Sequence, residues 1–160
     1  FGITEILDRD NRLLWRARPA IRHVMAATEA AIVVDMLQGV VEEGTGKQAQ
    51  RLNLPVAGKT GTTNDFKDAL FVGFSPAVAA GVWVGMDDAS PLGDKETGAR
   101  AALPIWIDFM QSALTDAPHQ YFDLPDNVSK VYIDPDTGKR NVDGSASGFP
   151  ALFIKGTEPQ

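Results

Sequence analysis

The chain has 160 residues, 44% hydrophobic and 22% charged, which is the balance of an ordinary globular domain or a large piece of one. A net charge of −6 argues against nucleic-acid binding, which needs a basic face. No apolar run reaches the roughly 18 residues of a membrane span, no signal peptide is visible, and the absence of cysteine excludes disulfides, thiolate chemistry and cysteine-based zinc sites.

Phe1 opens directly into a strand-like run, which reads as a cut end. Ile3 to Leu7 and Arg12 to Trp15 flank Asp8-Arg9-Asp10-Asn11, the pattern of a hairpin. Thr28 is the expected N-cap of a helix, with Glu29 in its first turn. Ile32, Val33, Met36, Leu37, Val40 and Val41 follow at helical spacing, and Gly44 is the expected stop. Three strands are predicted next, at Val56 to Thr63, Ala69 to Ser75 and Val78 to Met86. Their short connections favour antiparallel neighbours, because parallel strands need a long crossover.

Arg100 to Leu114 reads as a second helix, with Ile105, Trp106, Phe109 and Met110 as its apolar stripe and Pro104 confined to its first turn. Beyond Thr115 prolines punctuate the chain. Val131 to Ile133 is a short predicted strand entering the turn Asp134 to Gly138, and Gly144 to Gly148 is expected to be flexible. The fold class is therefore α+β: one antiparallel sheet built from the hairpin and the three strands, with helices on one face. Residues 1–114 form its main unit and 115–160 a tail with a short hairpin.

The chemistry concentrates in Ala57-Gly58-Lys59-Thr60-Gly61-Thr62-Thr63-Asn64-Asp65. Gly-Lys-Thr also ends a phosphate loop, but that loop needs a glycine where Asn53 stands. The other reading is a binding strand. Thr60 and Thr62 share a face by alternation, Lys59 supplies positive charge beside them, and Gly61 lets a partner approach the backbone. Such a strand suits an anionic, extended peptide end better than a nucleotide.

Lys59-Thr60-Gly61 resembles one of the three motifs of penicillin-binding proteins and class A β-lactamases, the others being Ser-x-x-Lys and Ser-Asp-Asn. Gly44-Thr45-Gly46, Lys67-Asp68-Ala69, Phe71 to Pro76, Trp83 to Asp88, Ala102 to Trp106 and Phe153 to Pro159 resemble the class A, bifunctional penicillin-binding proteins over nearly the whole chain. Leu70 departs from the pattern, since relatives often carry Trp there.

The resemblance implies a D,D-transpeptidase that cross-links peptidoglycan stem peptides ending in D-Ala-D-Ala through a serine acyl-enzyme and binds β-lactams as substrate mimics. It implies no metal and no cofactor. It implies a five-stranded sheet and a separate helical lobe holding the other two motifs. Lys59 would set the electrostatics near the serine; Thr60, Gly61, Thr62, Thr63 and Asn64 would line the substrate strand; the Thr62 N–H would be an oxyanion donor. Asn64 and Asp68 would shape the loop after the strand. The family works at the outer face of the bacterial cytoplasmic membrane, with its anchor and any glycosyltransferase domain before Phe1.

No serine here is followed by Lys three residues on or by Asn two residues on, so Ser-x-x-Lys and Ser-x-Asn are both absent. The chain therefore lacks a nucleophile and its base, and is expected to need the upstream part that carries them. Two alternatives stay open: a related carboxypeptidase or β-lactamase, and a non-catalytic binding module. His23 and His119 read as surface or packing residues, because no spaced ligands accompany them. Asp134 to Gly138 departs from the calcium-loop pattern, Asp87-Asp88 reads as a loop start, and Glu42-Glu43 as a solvated helix end. Trp83 and Trp106 are both expected in the core.

Overall fold

A computed structural model describes residues 2–18, 20, 22–118, 120–141 and 148–160. His119 and most of the segment expected to be flexible, 144–148, lie outside these residues. The first hairpin forms as expected, β1 (Glu5–Leu7) pairing antiparallel with β2 (Leu13–Arg16). Asp8 closes its turn by accepting the N–H groups of Asp10 and Arg12 on one carboxylate oxygen. The hairpin is nevertheless a two-stranded sheet of its own and does not join the other strands. Its side chains are exposed, Trp15 included, so no buried face ties it to the main sheet.

Helix α1 covers Ala27–Glu42, and its N-cap is Ala26, not Thr28. Glu29 explains the difference. Its carboxylate reaches back to accept the Ala26 N–H at 3.2 Å, so the acidic half of a capping box starts the helix without a capping hydroxyl. The helix stops where Gly44 was expected to stop it, with the Glu43 and Gly44 N–H groups both on the Gly39 carbonyl. A 3₁₀ turn, Lys47–Leu52, leads to the main sheet.

That sheet has three strands in the order β3 (Ala57–Thr62), β4 (Asp68–Phe74) and β5 (Ala79–Gly85), all antiparallel. The strand limits match the sequence expectation to within a residue or so. Alternation sorts their side chains. Gly58, Thr60 and Thr62 share a face with Ala69, Phe71, Gly73, Ala80, Val82 and Val84. Lys59 and Gly61 share the other with Leu70, Val72, Gly81 and Trp83.

Helix α2 (Leu103–Ala113) packs on the first of these faces. Trp106 is fully buried there, edge-on to Phe71 with ring centroids 4.9 Å apart, and its indole N–H donates to the Ala80 carbonyl at 3.1 Å. Gly73 makes room for it, since a Cβ at that position would lie 2.7 Å from the indole Cζ2. The helix starts later than expected. Pro104 has no N–H to continue the ladder, and the preceding Gly98–Ala102 forms a wide π turn in which the Leu103 N–H reaches the Gly98 carbonyl. Only part of the expected apolar stripe meets the sheet. Leu103, Trp106, Ile107, Met110 and Leu114 are buried, whereas Ile105 and Phe109 are half exposed.

Trp83 is also not core. It stands on the face away from α2 and is 58% exposed. The predicted strand at Val131 is longer, β6 (Val128–Ile133), and pairs with a strand the sequence reading missed, β7 (Phe149–Ile154). Pro150 masked that strand, but among the described residues β7 pairs with β6 alone and so tolerates a missing N–H. The turn after β6 forms as expected. Asp134 accepts the N–H groups of Asp136 and Thr137, which holds its carboxyl below the usual range, the Thr137 bond acting most. The β6–β7 pair leans on α1, where the Leu152 N–H meets the Asp35 carboxylate at 3.3 Å.

Trp106→Ala should lower unfolding stability by about 3–5 kcal/mol, since it empties the largest buried side chain. Urea unfolding monitored by circular dichroism checks this, and a loss under about 1 kcal/mol would show that the helix is held elsewhere.

Candidate active site

The Lys59–Asn64 segment lies at the end of the sheet. Among the described residues β3 has β4 on one side and no strand on the other. α1 packs beside it, and the Gly44–Gly46 loop brings the Thr45 hydroxyl to 2.7 Å from that of Thr60. Lys59 and Thr62 are exposed, while Thr60 and Gly61 are half buried.

Each polar side chain of the strand has a defined neighbour. The Lys59 ammonium donates to the Thr60 carbonyl at 2.8 Å. The ion pairs among the described residues, Arg16–Glu5 and Arg100–Glu96, leave Lys59 with no carboxylate partner. The Thr62 hydroxyl oxygen accepts the Gly98 N–H at 3.1 Å, so its own proton has no acceptor among the described residues. Of the Thr45–Thr60 pair only one hydroxyl donates, leaving the other proton free. The strand thus holds oriented O–H donors and a cation on its two faces, a set suited to anions.

The strand's far end is tightly bound. Thr63 and Asp68 close the β3–β4 connection with a ring of bonds. The Thr63 N–H donates to the Asp68 carbonyl at 3.0 Å, the Asp68 N–H to the Thr63 hydroxyl oxygen at 2.8 Å, and that hydroxyl to the Asp68 carboxylate at 3.1 Å. Trp83 holds the second carboxylate oxygen with its indole N–H at 3.0 Å. Between them Asp65 and Phe66 both have positive φ, 62° and 54°. The Phe66 carbonyl accepts the Leu92 N–H, tying on the loop after β5. In that loop the Ser90 hydroxyl and N–H hold the Asp88 carboxyl below the usual range. Asp87-Asp88 lies just past β5, in the loop position expected for it. Among the described residues no three His, Asp or Glu side chains gather as a metal site, and no helix is long and apolar enough to cross a membrane.

Comparison with known proteins settles the relationship. The penicillin binding protein transpeptidase domain matches residues 7–111. The chain belongs to the penicillin-binding protein transpeptidase family. Penicillin-binding protein 1A of Aquifex aeolicus is 45% identical over 99% of this chain and 22% of its own length. Penicillin-binding protein 1A of Pseudomonas aeruginosa is 42% identical over 84% of this chain and 16% of its own. The crystal structure of penicillin-binding protein 1A from Haemophilus influenzae superposes with a TM-score of 0.86 at 28% identity, over 99% of this chain and 29% of that one. The chain therefore spans less than a quarter of the length of either curated relative. Its expected family and α+β class are both borne out.

Two residues beside the strand were not singled out by sequence, Thr45 and Gly98, and Trp83, expected in the core, instead binds Asp68. Thr45 sits in the Gly-Thr-Gly loop, whose recurrence in the family was the available signal. Gly98 carried none, since its partner Thr62 is 36 residues away. It lies so close to the sheet that a Cβ would collide with the Leu70 and Gly61 carbonyl oxygens. Gly98→Ala should therefore cost about 1–3 kcal/mol and release the Thr62 hydroxyl from its amide donor. Thermal unfolding with an NMR readout of the residue-98 amide would check it; an unshifted amide would contradict the close approach.

Proposed function

We propose that this chain supplies the substrate strand of a serine D,D-transpeptidase that cross-links peptidoglycan stem peptides. The reading rests on one observation above all. The family's Lys-Thr-Gly segment forms the terminal strand of the sheet, with Lys59 and Thr62 exposed and hydroxyl protons to spare. An extended peptide ending in D-Ala-D-Ala would lie along β3 by strand addition, its carboxylate accepting from the Thr60 and Thr62 hydroxyls. The Thr62 N–H would face the developing oxyanion, a donor typically worth about 3 kcal/mol of barrier. Gly61 and Thr63 would leave space for and flank the peptide, and Asn64 would border it where the strand turns away. A β-lactam would occupy the same place through its own carboxylate.

Lys59 stands on the other face, among Leu70, Val72 and Trp83, where Val72 is 56% exposed. This half-bare face suits a covering segment that brings the serine and its lysine base, since this chain has no Ser-x-x-Lys. The Lys59 ammonium would then sit beside that pair and stabilise the deprotonated nucleophile. Residues 1–114 would belong to the transpeptidase unit and 115–160 to its tail. The reaction would take place at the outer face of the bacterial cytoplasmic membrane, the side on which the wall is built. β-Lactam susceptibility, resistance and cell shape would follow from that activity.

The test is covalent labelling by a fluorescent penicillin. The full-length polypeptide carrying these residues should label and the isolated 160-residue chain should not. Lys59→Ala in the full-length protein should slow labelling by about 100-fold or more. Labelling of the isolated chain would refute the need for an added nucleophile. With a stem-peptide donor and acceptor, cross-linked dimer is expected; release of D-Ala without dimer would indicate a carboxypeptidase instead.

A further inference from the structure

The β3–β4 connection carries more constraint than joining two strands requires. Of the six non-glycine residues with positive φ among the described residues, four lie in the two loops at this end of the sheet: Asp65, Phe66, Ala89 and Lys95. An aspartate tolerates that region, but for a phenylalanine it is an outlier. A residue held there is strained and persists only where its surroundings over-determine it.

The over-determining group here is Asp68. One carboxylate oxygen holds the Thr63 hydroxyl and the other holds the Trp83 indole N–H, so a side chain from β5 fixes the exit of β3. Trp83 adds little burial, being 58% exposed, and its directional contribution is this hydrogen bond. Thr63 is bonded to Asp68 through both its N–H and its hydroxyl, and it directly follows Thr62. Thr62 is thereby held at two points. Gly98 fixes its hydroxyl from above, and the Thr63–Asp68 ring fixes the peptide beyond it.

We propose that Asp68, oriented by Trp83, is a positioning residue that aims Thr62 at the carboxylate of the bound ligand by holding the strained turn after β3 closed. It would touch neither ligand nor nucleophile. The inference rests on the proposed function and adds a specificity element to it: recognition of a free terminal carboxylate, as opposed to an ester, would depend on a residue outside the Lys-Thr-Gly strand.

The probes are a penicillin with a free carboxylate and its methyl ester, and the readout is the acylation rate of the full-length polypeptide. Asp68→Ala should slow acylation by the free acid about tenfold while slowing the ester much less, so the acid-to-ester ratio falls. Asp68→Asn should restore most of the ratio, since its amide oxygen can accept from Trp83 and its amide nitrogen can donate to the Thr63 oxygen. Trp83→Phe keeps the ring and loses the donor, and should lower the ratio by about fivefold. A merely structural role would slow acid and ester together, and that result would overturn the proposal, as would an unchanged ratio in all three variants. If Asp68→Ala does not fold, Asp68→Asn and Trp83→Phe decide through the same ratio. If the unsubstituted protein is not acylated by either probe, the proposed function itself fails and this inference falls with it.

Discussion

The burial of Trp106 against Phe71 is the contact on which the candidate site depends. It joins α2 to the middle strand of the sheet, and it requires glycine at position 73 to admit the indole. Because α2 is seated there, the π turn at its start lies directly on the sheet, with Gly98 against the backbone of Gly61 and Leu70. That contact brings the Gly98 amide to the Thr62 hydroxyl. A core packing decision is thus transmitted, through one helix and one wide turn, to the orientation of a single polar side chain on the terminal strand.

The π turn is itself a consequence of sequence. Pro104 cannot donate to a preceding carbonyl, so the chain meets it with a loosened turn and not with regular helix. Functional regions often carry such local departures from ideal geometry, at a cost the surrounding fold must offset. The loops beyond β3 and β5 show the same character. Asp65 and Phe66 are enclosed by the Thr63–Asp68 ring, and the bond from Leu92 to Phe66 ties the two loops together. Rigidity near the strand thus comes from short polar bonds, whereas the helix side relies on apolar packing.

Much of this was legible in advance because the signals were local. Alternating runs around Gly58 and Gly73 mark two strands to within a residue or so, and the glycine at 44 marks the end of α1. The Lys-Thr-Gly segment and the residues flanking it point to the family from sequence alone. What failed turned on packing, or on a choice between local caps, that composition and spacing leave open. Trp83 has the composition of a core residue, but its strand position turns it to the face that α2 does not cover. Thr28 looked like a cap until Glu29 was seen to reach Ala26. Ile105 and Phe109 have the composition of the buried stripe, but each lies one residue, about 100°, round the helix from Trp106 and Met110, beyond the arc that meets the sheet. The first hairpin has strand periodicity, but periodicity alone does not name the sheet a strand joins.

The two faces of β3 now divide the labour of the proposed chemistry. The threonine hydroxyls, held by Thr45 and Gly98, would act from the α2 side, while Lys59 looks to the face that remains half bare. The ligand's anionic end would then lie at the strand and the reacting serine beyond Lys59. A crystal structure of the full-length polypeptide acylated by a penicillin tests this arrangement most directly. The ligand carboxylate should lie within about 3 Å of the Thr60 or Thr62 hydroxyl, with the ligand amide running along β3 and the acylated serine on the Lys59 side. A ligand bound away from β3, or one whose carboxylate is held by groups outside positions 59 to 64, would contradict it.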